Sequence, residues 1–560
     1  MRLINNQYFN IAIEKNSNVF CCNFVKFIYK SYLLHWGGKI MAINNQERDE
    51  LHKKIWDIAN RLRGSIDGWD FKQYVLGIMF YRYISENIAT YANNRQRQAG
   101  IEDFDYTTLS DEEALTGRDD LINEKGFFIL PSELFINVVK NATTNNCLNE
   151  TLDNIFKNIE SSAKGQQSEN DFSGLFNDVD VNSQKLGRSV DERNKKLAAI
   201  LQEIAAMKLG NYQDNSIDAF GDAYEYLMSM YASNAGKSGG EYFTPQEVSE
   251  LLTKIAVFNK KKVNRVYDPA CGSGSLLLQT IKVLGKENIK DGFYGQEVNL
   301  TTYNLCRINM FLHDIGFDKF NIYNGDTLLS PSPEHQRKEP FDVIVSNPPY
   351  SIKWEGEDNP LLINDQRFSP AGILAPKSKA DFAFILHSLS WLATDGVAAI
   401  VCFPGIMYRG GAEQKIRQYL VENNFIDAII QLPSNLFFGT SISTCIMVLK
   451  KSKIDNNILF IDASQEFLKV TNNNKLTSQN INNIIDYYGQ RKDISYISKL
   501  ANVEEIKSNS YNLSVNSYIE KQDTSEKIDI NVLNSQIKET VSKIETLRSE
   551  IDKIVAELEE

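Results

Sequence analysis

The chain reads as an α/β protein with a doubly wound domain, a helical region in front of it and a coiled-coil helix behind it. Three observations predict this. Beyond Thr244-Pro245, short β-rich runs alternate with helical ones, as in βαβ units. Before that point apolar residues recur at helical spacing and no strand alternation appears. At the end, apolar residues repeat every seven positions.

In the doubly wound part, Val263–Asp268, Phe293–Val298, Phe320–Tyr323, Phe341–Ser346, Val397–Phe403, Ile426–Leu432 and Cys445–Lys450 are expected strands. Ser275–Leu284, Leu300–His313, Asp381–Ala393 and Ala412–Glu422 are expected helices between them. In the front part, Leu51, Ile55, Ile58 and Leu62 form one helical stripe, and Phe71 to Ile88 continues it through Val75, Ile78, Met79 and Tyr83. Residues 161–185, rich in Ser, Gln, Asn and Asp, read as loop. In the tail, Ile530, Ile537, Ile544, Ile551 and Leu558 occupy one heptad position, and Leu533, Thr540, Leu547 and Ile554 fill the other. The resulting division is 1–40, an upstream extension; 41–215, a helical domain; 216–465, the α/β domain; 466–527, a connecting region; and 528–560, the coiled-coil helix. Residues 1–40 differ in texture from the rest, and Met41 opens an ordinary-looking start.

A length of 560 residues allows two to four domains. Hydrophobic residues at 42% and charged residues at 24% are an ordinary globular balance. Asn18 to Trp36 is apolar but is broken by Lys26, Lys30 and His35, which argues against a membrane span. It also lacks the small-residue cleavage site of a signal peptide. The seven cysteines stand singly except Cys21-Cys22, and the five histidines have no ligand spacing. No metal site or disulfide framework is expected, and a cytoplasmic location fits. The net charge of -12 suggests that any nucleic-acid work relies on a partner for much of the phosphate contact.

Two motifs carry chemistry. Asp268-Pro269-Ala270-Cys271-Gly272-Ser273-Gly274 joins an expected strand to an expected helix. Gly272 and Gly274 allow close backbone approach to a ligand, and the helix N-terminus is electropositive. Glu297 ends the next strand at the distance where an acid reaches ribose hydroxyls, and Asp326 follows the third strand. A nucleoside cofactor follows. The second motif, Asn347-Pro348-Pro349-Tyr350, ends the fourth strand. An exocyclic amine on a purine is a poor nucleophile because its lone pair is delocalised. The side-chain oxygen of Asn347 and the carbonyl of Pro348 can accept its two N–H groups, which directs the lone pair at a methyl donor and stabilises the developing positive charge. Tyr350 can stack on a base swung out of the duplex. Ala235-Gly236-Lys237-Ser238 mimics a phosphate-binding loop, but that motif needs glycine where Tyr231 stands, so no ATPase is expected.

The order DPACGSG, YGQEV, NGD and NPPY resembles the amino-group DNA methyltransferases, and Phe243-Thr244-Pro245 ahead of it resembles their subgroup with an N-terminal methionine-binding motif. More narrowly, the chain resembles the modification subunit of type I restriction enzymes. The stretches LRGSIDGWDFKQYVLGIMFYRYISE at 62–86, FGDAYEYLMSMYASNAGKSGGEYFTPQEVSELL at 220–252, QLPSNLFFGTSISTCIMVLKK at 431–451 and SYNLSVNSYI at 510–519 carry this resemblance over about residues 45 to 560. It implies a Rossmann-like, S-adenosylmethionine-dependent methyltransferase acting on adenine N6 in double-stranded DNA. It implies a separate specificity subunit that reads the target, with a second modification subunit and a restriction subunit in the complex. By the same resemblance, Phe243 and Thr244 contact the methionine part of the cofactor. Asp268, Ala270, Gly272 and Gly274 form its pocket, Glu297 binds the ribose, Asp326 the adenine amine, and Phe382 packs on the adenine. Asn347, Pro348, Pro349 and Tyr350 handle the target base. Rival readings are a protein-glutamine or RNA-base methyltransferase, a non-catalytic scaffold, and a stand-alone methyltransferase with its own recognition domain.

Overall fold

The β-branched and aromatic runs of the second half pair into one nine-stranded sheet. The computed structural model describes residues 52–53, 55–56, 68–207, 209, 219–234, 244–337, 339–437, 440–470, 473–520 and 530–559. The expected extension 1–40, the start at Met41, most of the stripe at 47–62, the loop at 235–238 and Phe243 lie outside these residues. The strands are β1 (Val263–Asp268), β2 (Ile289–Glu297), β3 (Phe320–Asn324), β4 (Phe341–Ser346), β5 (Leu392–Cys402), β6 (Ile426–Gln431), β7 (Cys445–Lys450), β8 (Ile458–Asp462) and an edge strand, Ser498–Ala501. From that edge the order is β8, β6, β7, β5, β4, β1, β2, β3. The strands β5, β4, β1, β2 and β3 run parallel, and β7 is antiparallel to both its neighbours.

Side-chain alternation explains why the sheet is covered on both faces. In β4, Val343 and Val345 join one apolar core and Ile344 the other. Helices α5 (Gln246–Ala256), α6 (Ser275–Leu284), α7 (Leu300–Leu312), α8 (Asp381–Trp391) and α9 (Ala412–Glu422) follow the expected positions to within two residues where an expectation was made. The chain runs from β1 outward through β2 and β3, then returns to the other side of β1 as β4. That reversal leaves a crevice at the carboxyl ends of β1 and β4, where α/β proteins bind ligands.

Ahead of the sheet, the helices α1 (Gly68–Gln98), α2 (Leu148–Ser162), α3 (Val190–Ala205) and α4 (Ala219–Asn234) dominate, with shorter helices between them. Their core is continuous with one face of the sheet. Phe311 of α7 packs on Phe80 and Phe172, with ring centroids 6.0 and 4.9 Å apart. Arg307 of α7 is buried and donates to the carbonyls of Asn170 and Ser173 at 2.8 and 3.0 Å. The 161–185 stretch is mostly turns with one short helix, Glu169–Phe172, yet it contributes buried Phe172, Leu175 and Phe176.

Several features differ from expectation, among them β2, which begins at Ile289 rather than Phe293, and β8, which was not expected. Strand β5 begins at Leu392, because a bulge between Leu392 and Val397 lets it pair with β4 from Phe341 onward. Residues 466–520 do more than connect. The helix Ser478–Gln490 packs on α5, and Tyr488 donates to Asp427 of β6 at 2.7 Å. Ser498–Ala501 completes the sheet, and Leu513, Val515 and Ile519 are buried in its core. The tail is a single helix, Ile530–Glu559, with every apolar residue of its heptad seam open to solvent. Among the described residues, no helix is long and apolar enough to cross a membrane.

Candidate active site

The turn after β1 builds the first wall of the crevice. Gly272 and Gly274 take left-handed φ values of 54° and 82°, which a side chain at either position would strain. A Cβ on Gly274 would also meet Cys306 Sγ at 2.8 Å and Met310 Cε at 2.9 Å, so this glycine lets the turn seat against α7. Asp268 ends β1, fully buried. Its Oδ1 accepts from the Ala270 N–H at 3.0 Å and from Ser346 Oγ at 2.8 Å, and its Oδ2 has no partner among the described residues. Burial pushes the Asp268 carboxyl up to about 7, against the pull of those two hydrogen bonds.

Glu297, at the end of β2, folds back over this turn. Its carboxylate accepts from the Gly272 N–H at 3.1 Å and the Asn299 N–H at 2.8 Å, and burial raises its pKa. Asp326 lies beyond β3 and is half-buried. Its Oδ1 accepts from the N–H groups of Leu328 and Leu329, which holds the next turn. The structure therefore brings Asp268, Ala270, Gly272, Gly274 and Glu297 together, with Asp326 on the adjacent strand end.

The second wall is the loop after β4. Because β4 pairs with β1 in parallel, Ser346 and Asp268 end side by side, and their hydrogen bond ties the two loops together. Nothing in the sequence reading marked Ser346; a serine closing a strand carries no distinctive signal. Asn347 follows, half-buried, and its Nδ2 donates to Thr244 Oγ1 at 3.0 Å. The Tyr350 hydroxyl donates to Asn347 Oδ1 at 2.5 Å. Tyr350 is thus turned inward, its ring packed on the core, and burial pushes its phenol well above the ordinary value. Pro348 is buried, Pro349 half-buried, and the Pro348 carbonyl accepts no hydrogen bond among the described residues. After Tyr350 the backbone bends sharply. Ser351 has a φ of 52°, and its N–H donates to Asp381 Oδ2 at 3.1 Å at the start of α8.

Phe382, at the start of α8, is fully buried in the apolar core on that face of the sheet.

The profile of the N-6 DNA Methylase family matches residues 215–527, more than half of the chain, and that of the HsdM N-terminal domain matches residues 51–204. The methylase subunit of the type I restriction enzyme MpnII of Mycoplasma pneumoniae is 50% identical over 92% of this chain and 97% of its own. The methylase subunit of the type I restriction enzyme HindI of Haemophilus influenzae is 32% identical over 60% of this chain and 77% of its own. The crystal structure of the type I restriction-modification methyltransferase subunit from Streptococcus thermophilus is 35% identical, superposes with a TM-score of 0.76 and covers 84% of this chain and 100% of its own. The chain belongs to the N-6 DNA methylases, in the family of type I restriction enzyme methylase subunits.

Proposed function

We propose that this chain transfers a methyl group from S-adenosylmethionine to N6 of an adenine flipped out of double-stranded DNA in the cytoplasm. It would act as the modification subunit of a complex whose specificity subunit selects the site. A second copy of the modification subunit and a restriction subunit would complete that complex. The observation that carries this reading is the Ser346–Asp268 hydrogen bond, which sets Asn347 beside the glycine turn.

The chain's own groups suit the cofactor. When bound, S-adenosylmethionine supplies an electrophilic methyl on a positively charged sulfonium. Asp268 Oδ2, buried and without a partner among the described residues, offers a negative charge to a cationic ligand, and the glycines at 272 and 274 put no side chain in the way of its approach to the turn. Glu297 and Asp326 are the acids for the ribose and the adenine amine. On the other wall, Asn347 Oδ1 and the Pro348 carbonyl accept the two N–H groups of the target amine. For this the Tyr350 hydroxyl must leave Oδ1 and the phenol ring turn outward, where it can stack on the base.

The tail supports the partner reading. Ile544 and Ile551 are 58% and 59% exposed, and an apolar stripe along 30 residues left in water must find a covering surface. A long helix of the specificity subunit would cover it and bring an acidic chain to DNA.

Asn347→Ala should slow methyl transfer on the order of 10²-fold or more while leaving cofactor affinity nearly intact. Near-normal turnover at saturating DNA would rule out the role given to Asn347. Cofactor affinity should also depend on pH through Asp268. Its carboxyl, raised to about 7 by burial, is mostly neutral at pH 6 and mostly ionised at pH 8. A cationic ligand favours the ionised form, so calorimetry should show affinity rising by roughly tenfold from pH 6 to pH 8, with proton release on binding at the lower pH. Asp268→Asn should flatten that dependence, and a flat profile in the unmodified protein would remove Asp268 from the pocket. For the tail, Ile544→Asp combined with Ile551→Asp should abolish co-purification with the specificity subunit and leave cofactor binding unchanged. A double variant that still assembles and methylates would place the main subunit contact in the body of the protein.

A further inference from the structure

We infer that Thr244 is a positioning residue for the reaction, fixing the orientation of the Asn347 carboxamide rather than serving only the cofactor. The inference rests on the adenine N6 reading above.

A carboxamide has two ends of nearly equal shape and opposite chemistry, an acceptor oxygen and a donor NH2. Activation of an amine needs the oxygen toward the substrate, since an NH2 placed there would meet donor with donor. Among the described residues the Asn347 side chain has two partners, the Tyr350 hydroxyl on Oδ1 and Thr244 Oγ1 on Nδ2. An incoming amine takes the place of the Tyr350 hydroxyl on Oδ1. From then on, among the described residues, Thr244 is the partner that holds the carboxamide plane.

Thr244 is itself rigidly placed. It is only 9% exposed. It sits one residue before Pro245, whose carbonyl accepts from the N–H groups of Val248 and Ser249 in the first turn of α5, each at 3.0 Å. The next residue, Gln246, donates to buried Glu225 at 2.6 Å, and Glu225 also accepts from Lys282 of α6 at 2.7 Å. Helix α6 is the one that starts at the glycine turn. The segment carrying Thr244 is thus anchored to the cofactor side of the crevice, while its hydroxyl reaches the target-base side. The residues in contact lie 103 positions apart in the chain.

Thr244→Val keeps the shape and removes the acceptor, and Thr244→Ser restores it. The test uses the full chain with its specificity subunit, tritiated S-adenosylmethionine, and genomic DNA from a host lacking this methylation. Thr244→Val should lower the single-turnover rate at saturating cofactor by about tenfold or more, the scale of one lost hydrogen bond at the reacting group. Calorimetry reads any contribution of Thr244 to cofactor affinity separately, and at saturating cofactor the single-turnover rate reads the Asn347 contact alone. Thr244→Ser should recover most of the rate, and the melting temperature of both variants should match the parent. Full activity in Thr244→Val overturns the inference. So does a loss of cofactor affinity with the saturated rate preserved, which would make Thr244 a cofactor contact alone. A parent protein that methylates no DNA would instead sink the functional reading, and the inference with it.

Discussion

The hydrogen bond from Ser346 Oγ to Asp268 Oδ1, fully buried at the carboxyl ends of two adjacent parallel strands, sets the geometry of the crevice. It exists because β4 returns beside β1 after β2 and β3 have extended the sheet the other way. Both partners end their strands, so a one-residue slip of either strand would turn one of them to the opposite face. The two parts of the chemistry therefore depend on strand register. On one side of the bond lies a glycine turn beside a carboxylate oxygen with no partner among the described residues; on the other lies Asn347, which accepts from the Tyr350 hydroxyl and donates to Thr244 Oγ1. The same bond accounts for part of the Asp268 ionisation, since burial alone would push that carboxyl higher.

The helical front part and the last hundred residues brace this arrangement. Arg307 and Phe311 lock α7 to the helices ahead of the sheet, and α7 supplies the Cys306 and Met310 surface on which Gly274 rests. Behind the sheet, Asp427 gathers Tyr488, Lys450 and Arg491 around a buried carboxylate, which fixes the helix Ser478–Gln490 against the strands. That helix packs on α5, the element that begins just after Thr244.

Much of the fold was legible because local signals agreed. Val263–Asp268, Ser275–Leu284, Phe341–Ser346, Ala412–Glu422 and Cys445–Lys450 are found as expected, each a clear apolar run or stripe bounded by polar or turn residues. The short run Ile458–Asp462 and the edge strand Ser498–Ala501 were not read, because a few apolar residues without alternation fit a strand, a loop or a helix end equally. The motif residues of the crevice were legible from their types and order. Their contacts were not. The Thr244–Asn347 bond, the inward turn of Tyr350 and the burial of Phe382 are products of packing between segments far apart in the chain. The heptad seam was legible throughout, and its exposure in the single chain matches what a surface awaiting a partner requires.

The central claim is the identity of the atom methylated, since Asn347 and the Pro348 carbonyl are argued to act on an exocyclic amine of adenine. The most direct measurement is methyl transfer from labelled S-adenosylmethionine to duplex DNA by the assembled complex, followed by digestion to nucleosides and mass spectrometry. Label should appear in N6-methyldeoxyadenosine, and that product should be lost with Asn347→Ala. Label in a methylated cytosine, in RNA or in protein would contradict it.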